Sequence, residues 1–241
     1  MDLEEQVKKG NIPEHVAVIM DGNRRWAKKH MIPTTLGHKE GALRVVDLVR
    51  TCVELDIKYL TIYAFSTENW GREKPEVDYL MNLLVEFVKK ELNYIHENNV
   101  RIRLLGNSDD LPEKTKKEVE RSIELTKNNT KLNLNIALSY GSRTEITDAV
   151  KKIITEYENN KINIEEINEE SFKKYLLTHD MPDPDLLIRT SGEMRLSNFL
   201  LYQLAYTEFY FTDVMWPEFN KDEFLKAIYY FQTRKRRYGK N

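Results

Sequence analysis

Short apolar runs and longer amphipathic stretches take turns along this chain. The first run, His15-Val-Ala-Val-Ile-Met20, has three β-branched residues in six and no acidic, lysine or arginine residue. That predicts a strand buried on both faces. Further strands are predicted at 58–65, 100–105, 132–138, 186–190 and 209–212. Helices are predicted between them: a short one to about residue 30, then 37 to about 54, 75–98, 111–128, 141–157, 171–177, 199–206 and 221–237. Pro33 marks 31–35 as a loop, and 159–170 reads as a linker or short turn. Residues 1–12 are polar, a short helix or loose arm. In 75–98 the apolar side (Leu80, Leu83, Leu84, Phe87, Val88, Leu92 and Ile95, widened by Met81 and Val85) exceeds the stripe of an ordinary surface helix. It fits a core helix or one wall of a hydrophobic cavity.

Strands separated by helices predict an α/β protein, one domain over 1–241, built on an open, mostly parallel six-stranded sheet with helices on both faces. Ligands bind such sheets at the carboxyl ends of the strands. Three predicted strand ends carry polar clusters: after Met20, after Phe65 and after Ile188. The topology therefore predicts one cleft holding Asp21, Arg25, Ser66, Asn69, Arg72, Arg189, Arg195 and Ser197.

The chemistry of that cleft follows from the residue types. Asp21-Gly22-Asn23 joins the first strand to Arg24-Arg25-Trp26. An acid, a permissive glycine and a helix start suit either a capped turn or an anion site. Four arginines (25, 72, 189 and 195) at strand ends are costly to gather without anions to receive them, and their forked donors match phosphate. Asp21 would repel a phosphate unless a divalent cation lay between them; Mg²⁺ takes one or two carboxylates plus phosphate oxygens. His38 follows a glycine at a predicted helix start and can be structural or a phosphate donor. No GxxxxGK[ST] loop, GxGxxG or nucleophile elbow is present. A greasy wall beside an anion cleft suits a lipid diphosphate.

Composition narrows this further. The 241 residues carry 37 Lys and Arg against 39 Asp and Glu, a net charge of −2 that argues against a nucleic-acid binder. The single cysteine, Cys52, lies on an apolar helical stripe and excludes an internal disulfide. No signal peptide or membrane span is read from the sequence, so the expectation is a cytoplasmic protein.

The strings HVAVIMDGNRRWAKK, GHKEGA, YAFSTENWGR, LNIALSYGSR, DLLIRTSGEMRLSNFLLYQLAYTEFYF and WPEF closely resemble blocks of the cis-prenyltransferases, among them the bacterial undecaprenyl diphosphate synthases. The resemblance runs from about residue 13 to the C-terminus. It implies Mg²⁺-dependent, repeated addition of isopentenyl diphosphate to an allylic diphosphate such as farnesyl diphosphate. By similarity Asp21 is the catalytic aspartate and a metal ligand, with Glu208 a second acidic metal position. Gly22, Asn23, Arg24, Arg25, Trp26, Thr34 and His38 match the allylic diphosphate site. Ser66, Thr67, Glu68, Trp70 and Arg72 match a substrate-contacting loop. Asn69 matches the residue assigned to proton removal, as a group orienting the acceptor, since a carboxamide is too weak a base. Arg189, Arg195, Leu196 and Ser197 match the isopentenyl diphosphate site. Arg237-Tyr238-Gly239 resembles an ending that reaches the partner's site in a homodimer. Arg24, Thr34 and Met194 depart from the usual glycine, arginine and histidine. The implied product is a long polyprenyl diphosphate, undecaprenyl diphosphate for a cell-wall lipid carrier, with peripheral membrane contact through that product. Small Ala64 against bulky Phe87 and Leu138 would bear on chain length. The alternatives are a shorter-chain synthase, a non-catalytic partner subunit of the same fold, and a polyanion binder acting through the basic run 234–237.

Overall fold

The chain builds one six-stranded sheet around β1 (His15–Ile19). All five of its residues are buried, as an uncharged run between two neighbours must be. Val16 and Val18 are fully buried, each contributing about 1.5–3 kcal/mol of transfer free energy. The other strands are β2 (Tyr59–Ser66), β3 (Val100–Leu105), β4 (Leu132–Tyr140), β5 (Leu186–Arg189) and β6 (Glu208–Phe211). Their order is β3-β4-β2-β1-β5-β6. Every pairing is parallel, where the sequence predicts only a mostly parallel sheet. The computed structural model describes residues 2–234.

The connecting helices are α1 (Leu3–Lys9), α2 (Asn23–Lys29), α3 (Thr34–Glu54), α4 (Lys74–Glu97), α5 (Glu113–Thr126), α6 (Ser142–Glu158), α7 (Glu169–Lys173) and α8 (Lys221–Thr233). The N-terminal segment is no loose arm. Val7 is fully buried, and Gln232 of α8 donates to its carbonyl at 2.9 Å.

Three expectations need correction. The helix expected from Gly37 begins at Thr34, directly after Pro33, whose extended backbone (ψ 142°) caps it. The short helix expected at 171–177 lies at Glu169–Lys173, because Asn168 accepts from the backbone N–H of Glu170 and Ser171, both at 3.0 Å. The apolar stretch 199–206 is a series of turns, not a helix. Ser197, Asn198 and Leu200 all have positive φ (50°, 63° and 45°), which a right-handed helix cannot contain. α8 ends at Thr233; the rest of the helix expected to 237, apart from Arg234, lies outside the described residues.

At the carboxyl edge, β2 and β4 each carry an irregularity. Tyr63 and Phe65 pair with Ala137 and Leu138, and Ser66 then pairs with Tyr140. The extra residue is Ala64 on one strand and Ser139, with φ 49°, on the other. Such paired slips turn side chains out of the regular alternation, here beside the cleft.

Candidate active site

The connection from β1 to α2 is set by Gly22. Its φ of 109° is open to glycine and costly elsewhere, and a Cβ there would stand 2.8 Å from Ser191 Oγ. The turn is locked to the end of β5. The Asp21 N–H donates to Thr190 Oγ1 at 2.9 Å, and that hydroxyl donates to the Asp21 carbonyl at 2.6 Å. The Trp216 N–H donates to the same carbonyl at 3.0 Å. Asp21 is thereby aimed into the cleft with its side chain 28% exposed.

Both oxygens of that carboxylate face guanidinium groups. Arg189 Nη2 donates to Oδ2 at 3.0 Å, and Arg25 Nη2 lies 3.1 Å from Oδ1. Arg25 also reaches Glu193 at 3.0 Å, and Arg195 pairs with the other oxygen of Glu193. Arg189 is 3% exposed and donates through Nη1 to Ser197 Oγ (2.8 Å) and to the Arg195 carbonyl. The 195–198 loop is tied back to β2. Tyr63 Oη donates to the carbonyls of Ser197 (3.3 Å) and Tyr140 (3.1 Å), and Asn198 Nδ2 donates to Glu68 at 2.8 Å. The ends of β1, β2 and β5 are thus tied together through Asp21, Arg25, Arg189, Arg195, Ser197, Tyr63 and Glu68, while Ser66 and Asn69 bond each other and Arg72 falls in a separate cluster.

A second cluster lies around Glu76. Arg72 reaches it at 3.0 Å, Arg24 at 3.6 Å and His38 at 3.9 Å. Burial holds His38 neutral, its pKa pushed down to about 4 although Glu76 pulls the other way. Among the described residues its Nε2 has no hydrogen-bond partner, and neither does Asn23 Oδ1. Both side chains line an apolar cavity of about 130 Å³. Such orphaned polar atoms at a cleft are suited to a polar ligand. The cavity runs between the sheet and the wide face of α4, which forms one wall through Leu80, Leu84 and Phe87, the second of its two readings. Ala64 and Leu138 line it from the sheet. α2 and α3 can close on it because a Cβ at Gly37 would stand 2.3 Å from the Asn23 carbonyl oxygen, and one at Gly41 2.3 Å from Asn23 Oδ1.

Some expected positions fall elsewhere. Trp70 turns inward: its ring packs edge-on to Phe65 at 4.8 Å and its Nε1 donates to Ser139 Oγ at 2.9 Å. Asn69 Oδ1 is taken by the Ser66 N–H at 3.0 Å, closing a short helical turn at Thr67–Gly71. Thr67 donates to Glu68, and Leu196 packs on the cluster around Phe199. Thr34 is exposed beside Arg24 and Lys28. Trp26 donates to Glu218 at 3.1 Å. Glu208 is not brought to Asp21 within one chain. It opens β6 in register with Leu186 and Val16, five residues before Asp21, roughly 16 Å away along the strands. There it pairs with Arg234 at 3.2 Å. The expected metal pair is corrected on that ground: a parallel strand puts its first residue at the opposite edge from the cleft. The segment 237–239 lies outside the described residues.

Sequence reasoning missed Glu193, Thr190, Glu76, Tyr63 and Asn198 as members of the site. Glu193 had a visible signal, an acid between two of the arginine positions. The others declare themselves only through contacts distant in sequence.

The parallel sheet, the arginine-held carboxylate and the adjoining apolar cavity define a prenyl-transfer fold, and the comparisons agree. The family model described as "Putative undecaprenyl diphosphate synthase" matches residues 19–239. An isoprenyl transferase of Bacillus cereus is 53% identical over 237 residues, 98% of this chain and 92% of that one. A crystal structure of lavandulyl diphosphate synthase from Lavandula x intermedia, in complex with dimethylallyl diphosphate, matches with a TM-score of 0.92 at 34% identity, covering 98% of this chain and 100% of that one. A probable undecaprenyl diphosphate synthase from Campylobacter jejuni matches with a TM-score of 0.79 at 36% identity, covering 95% and 100%. The chain belongs to the undecaprenyl diphosphate synthase family of prenyltransferases and is an enzyme of that class.

Proposed function

We propose that this enzyme condenses isopentenyl diphosphate repeatedly onto an allylic diphosphate, with farnesyl diphosphate as starter, and releases a long polyprenyl diphosphate of the undecaprenyl kind. One observation carries the reading: the Asp21–Arg25–Arg189 cluster adjoins in the chain Met20 and Asn23, which line an apolar cavity whose walls are the sheet and α4. The charged end can hold two diphosphates while the chain grows along the greasy wall.

In this reading Asn23, Arg24, Arg25, Thr34 and His38 hold the allylic diphosphate, with Gly22 shaping the turn and Trp26 fixing α2. Arg189, Arg195 and Ser197 hold that of isopentenyl diphosphate, and Leu196 anchors their loop. The donors suit Mg²⁺: Asp21 and Glu193 share Arg25, and no group of three or more acidic, His or Cys side chains among the described residues forms a cage. Phosphate oxygens would complete such a shell. When bound, Mg²⁺ supplies Lewis-acid stabilisation of the departing diphosphate.

The arginines stabilise the same charge as the allylic C–O bond breaks and diphosphate leaves with the electron pair. The isopentenyl double bond then forms the new C–C bond, and a proton departs from the adjacent carbon. Asn69 acts by position, because its Oδ1 is already occupied by Ser66 and its Nδ2 can only donate. A water or diphosphate oxygen it orients would accept the proton. Ser66, Thr67, Glu68 and Arg72 frame this edge, and Trp70 supports it from behind.

Labelled isopentenyl diphosphate, farnesyl diphosphate and Mg²⁺, followed by chromatography, test the reading. Label in a ladder ending in a long polyprenyl diphosphate, abolished by chelator, supports it. Arrest after one or a few additions assigns the shorter-chain alternative, and no incorporation with any allylic starter refutes it. We further propose a homodimer in which Glu208 and the C-terminal segment serve the interface, checked by light scattering. The location proposed is cytoplasmic and peripheral at a membrane; among the described residues no helix is long and apolar enough to cross one.

A further inference from the structure

The strongest unassigned feature is the surface made by α2, the turn after it and the first turns of α3. Residues 22–39 contain five lysines and arginines and no acidic residue, in a chain that is otherwise slightly acidic. Arg24 and Arg25 turn toward Glu76, Asp21 and Glu193. Lys28 and Lys39 do not turn inward: both are exposed, with no ion-pair partner among the described residues. Carboxylates flank this face without covering it. Glu218 takes Trp26 at 3.1 Å and Lys29 at 3.8 Å on one side, and Glu76 takes Arg24 on the other.

Among these cations stand two apolar side chains. Met31 is 93% exposed, the most exposed large hydrophobic side chain of the described residues, and Leu36 is 43% exposed. Met31 follows α2 at φ 56°, where the helix has ended and, among the described residues, little packs over it. It shares an open groove with Lys28, Ile32 and Thr34. Leu36 and Lys39 are three residues apart on the outer side of α3, opposite the buried Gly37 and Gly41. Free cations around a protruding flexible apolar side chain suit a surface that is anionic outside and hydrocarbon beneath. A folded protein partner would demand complementary shape, and a free anion would leave Met31 and Leu36 unused. The position is also informative: Asn23 and His38, which line the apolar cavity, belong to the same two helices.

We infer that this face docks the enzyme on an anionic lipid bilayer, setting the cavity against the membrane that receives its product. The inference rests on the proposed function for the greasiness of the product, but the docking itself needs no substrate.

The test is co-sedimentation of the full chain, without substrate, with vesicles of phosphatidylcholine alone or containing phosphatidylglycerol. Binding is expected on the anionic vesicles only and should weaken with salt. Lys28→Gln and Lys39→Gln should each weaken it about fivefold, and Met31→Ser about tenfold. Turnover in detergent should be unchanged in all three variants, which separates lost docking from a damaged site. Unaltered binding of the triple variant, which combines Lys28→Gln, Met31→Ser and Lys39→Gln, overturns the inference, as does wild-type binding that ignores lipid charge. A third overturning result is loss of binding on replacing Lys235 and Arg236 while the triple variant still binds. Vesicle binding by a protein that transfers no prenyl group would leave this surface standing and remove the proposed function instead.

Discussion

The two ends of β1 are both polar and are built on opposite plans. At the amino end His15 is fully enclosed. Its Nδ1–H donates to the Pro182 carbonyl at 2.7 Å, and its Nε2 accepts from Thr61 Oγ1 at 2.7 Å. Asn135 Nδ2 in turn donates to Thr61 Oγ1 at 3.0 Å. All three residues are buried, and the chain of bonds is neutral. At the carboxyl end, six residues later, Asp21 is open to the cleft and held by two guanidinium groups. At the amino end both ring nitrogens of His15 are matched, and a single orphan among the described residues, Asn135 Oδ1, stands at the far end of the chain of bonds. The carboxyl end gathers more cationic than anionic groups and leaves orphaned atoms, Arg189 Nε, Asn23 Oδ1 and His38 Nε2, around it. A neutral buried polar cluster that is nearly satisfied specifies structure, and one that gathers charge and several orphaned atoms suits a ligand.

The contrast is broken most severely at Asp21. Asp21→Asn keeps the shape and an acceptor for Arg189 but removes the charge. Turnover should fall about 10³-fold, in a steady-state assay with labelled isopentenyl diphosphate, while circular dichroism at 25 °C is unchanged. Near-normal turnover would mean that the carboxylate does not serve the reaction.

At the other end the roles should reverse. Burial depresses the His15 pKa to about 4 from an ordinary 6.5. The unfolded chain therefore binds the extra proton first. The stability that this group contributes is fully present above pH 6.5 and is lost as pH falls toward 4. The integrated loss is about 3 kcal/mol, read from urea unfolding between pH 7 and 4.5. His38, depressed to the same range, adds to the fall with the same sign. His15→Asn should flatten its own share and leave that of His38, with turnover per folded molecule unchanged. A variant that keeps the full slope would show that His15 does not carry it.

Gly37 links the two ends, because α2 presents Asp21's turn and α3 packs on the core. Gly37→Ala places a methyl 2.3 Å from the Asn23 backbone oxygen, which cannot move without carrying Arg24 and Arg25. Overpacking of this kind costs about 1–3 kcal/mol in unfolding free energy. Activity should drop with it by about tenfold or more, at that price in transition-state geometry. Lost stability with untouched activity would separate α2 from the site.

The sequence reading succeeded where a local pattern has one physical solution. β3 matches its expected span because Val100-Arg-Ile-Arg-Leu-Leu105 is bounded by turn residues. The buried β1 follows from an uncharged apolar run and β5 from Leu186-Leu-Ile188 ahead of Arg189, and the common edge of the three polar clusters follows from parallel topology. It failed where a long-range contact overrides local preference. The apolar 199–206 has helical composition, but the loop ahead of it is bent into positive φ so that Ser197 can meet Arg189. Trp70 is drawn from the cleft by Ser139, a residue displaced by the slip in β4. Glu208 is acidic and lies near a cluster of site residues in sequence, but strand direction carries it to the far edge. The site's charges were legible as residue types; their partners were not, since each pairing joins segments far apart in the chain.

The smallest effect expected lies at the seam between strand and loop. Tyr63→Phe keeps the ring stacked on Phe199, at 4.4 Å and 15°, and removes only the hydroxyl that donates to the Ser197 and Tyr140 carbonyls. The loop retains other ties, from Arg143 N–H to Asn198 Oδ1 at 2.8 Å and from Asn198 to Glu68 at 2.8 Å. One lost neutral hydrogen bond is worth about 1 kcal/mol. It should appear as a roughly fivefold higher KM for isopentenyl diphosphate with kcat little changed, because Ser197 and Arg195 hold the diphosphate before reaction as well as during it. A fall in kcat at constant KM would instead mean that the loop is engaged only in the transition state. The carboxyl end of the sheet would then be completed by the reacting substrate, where the His15 ring at the amino end is matched in the folded protein alone.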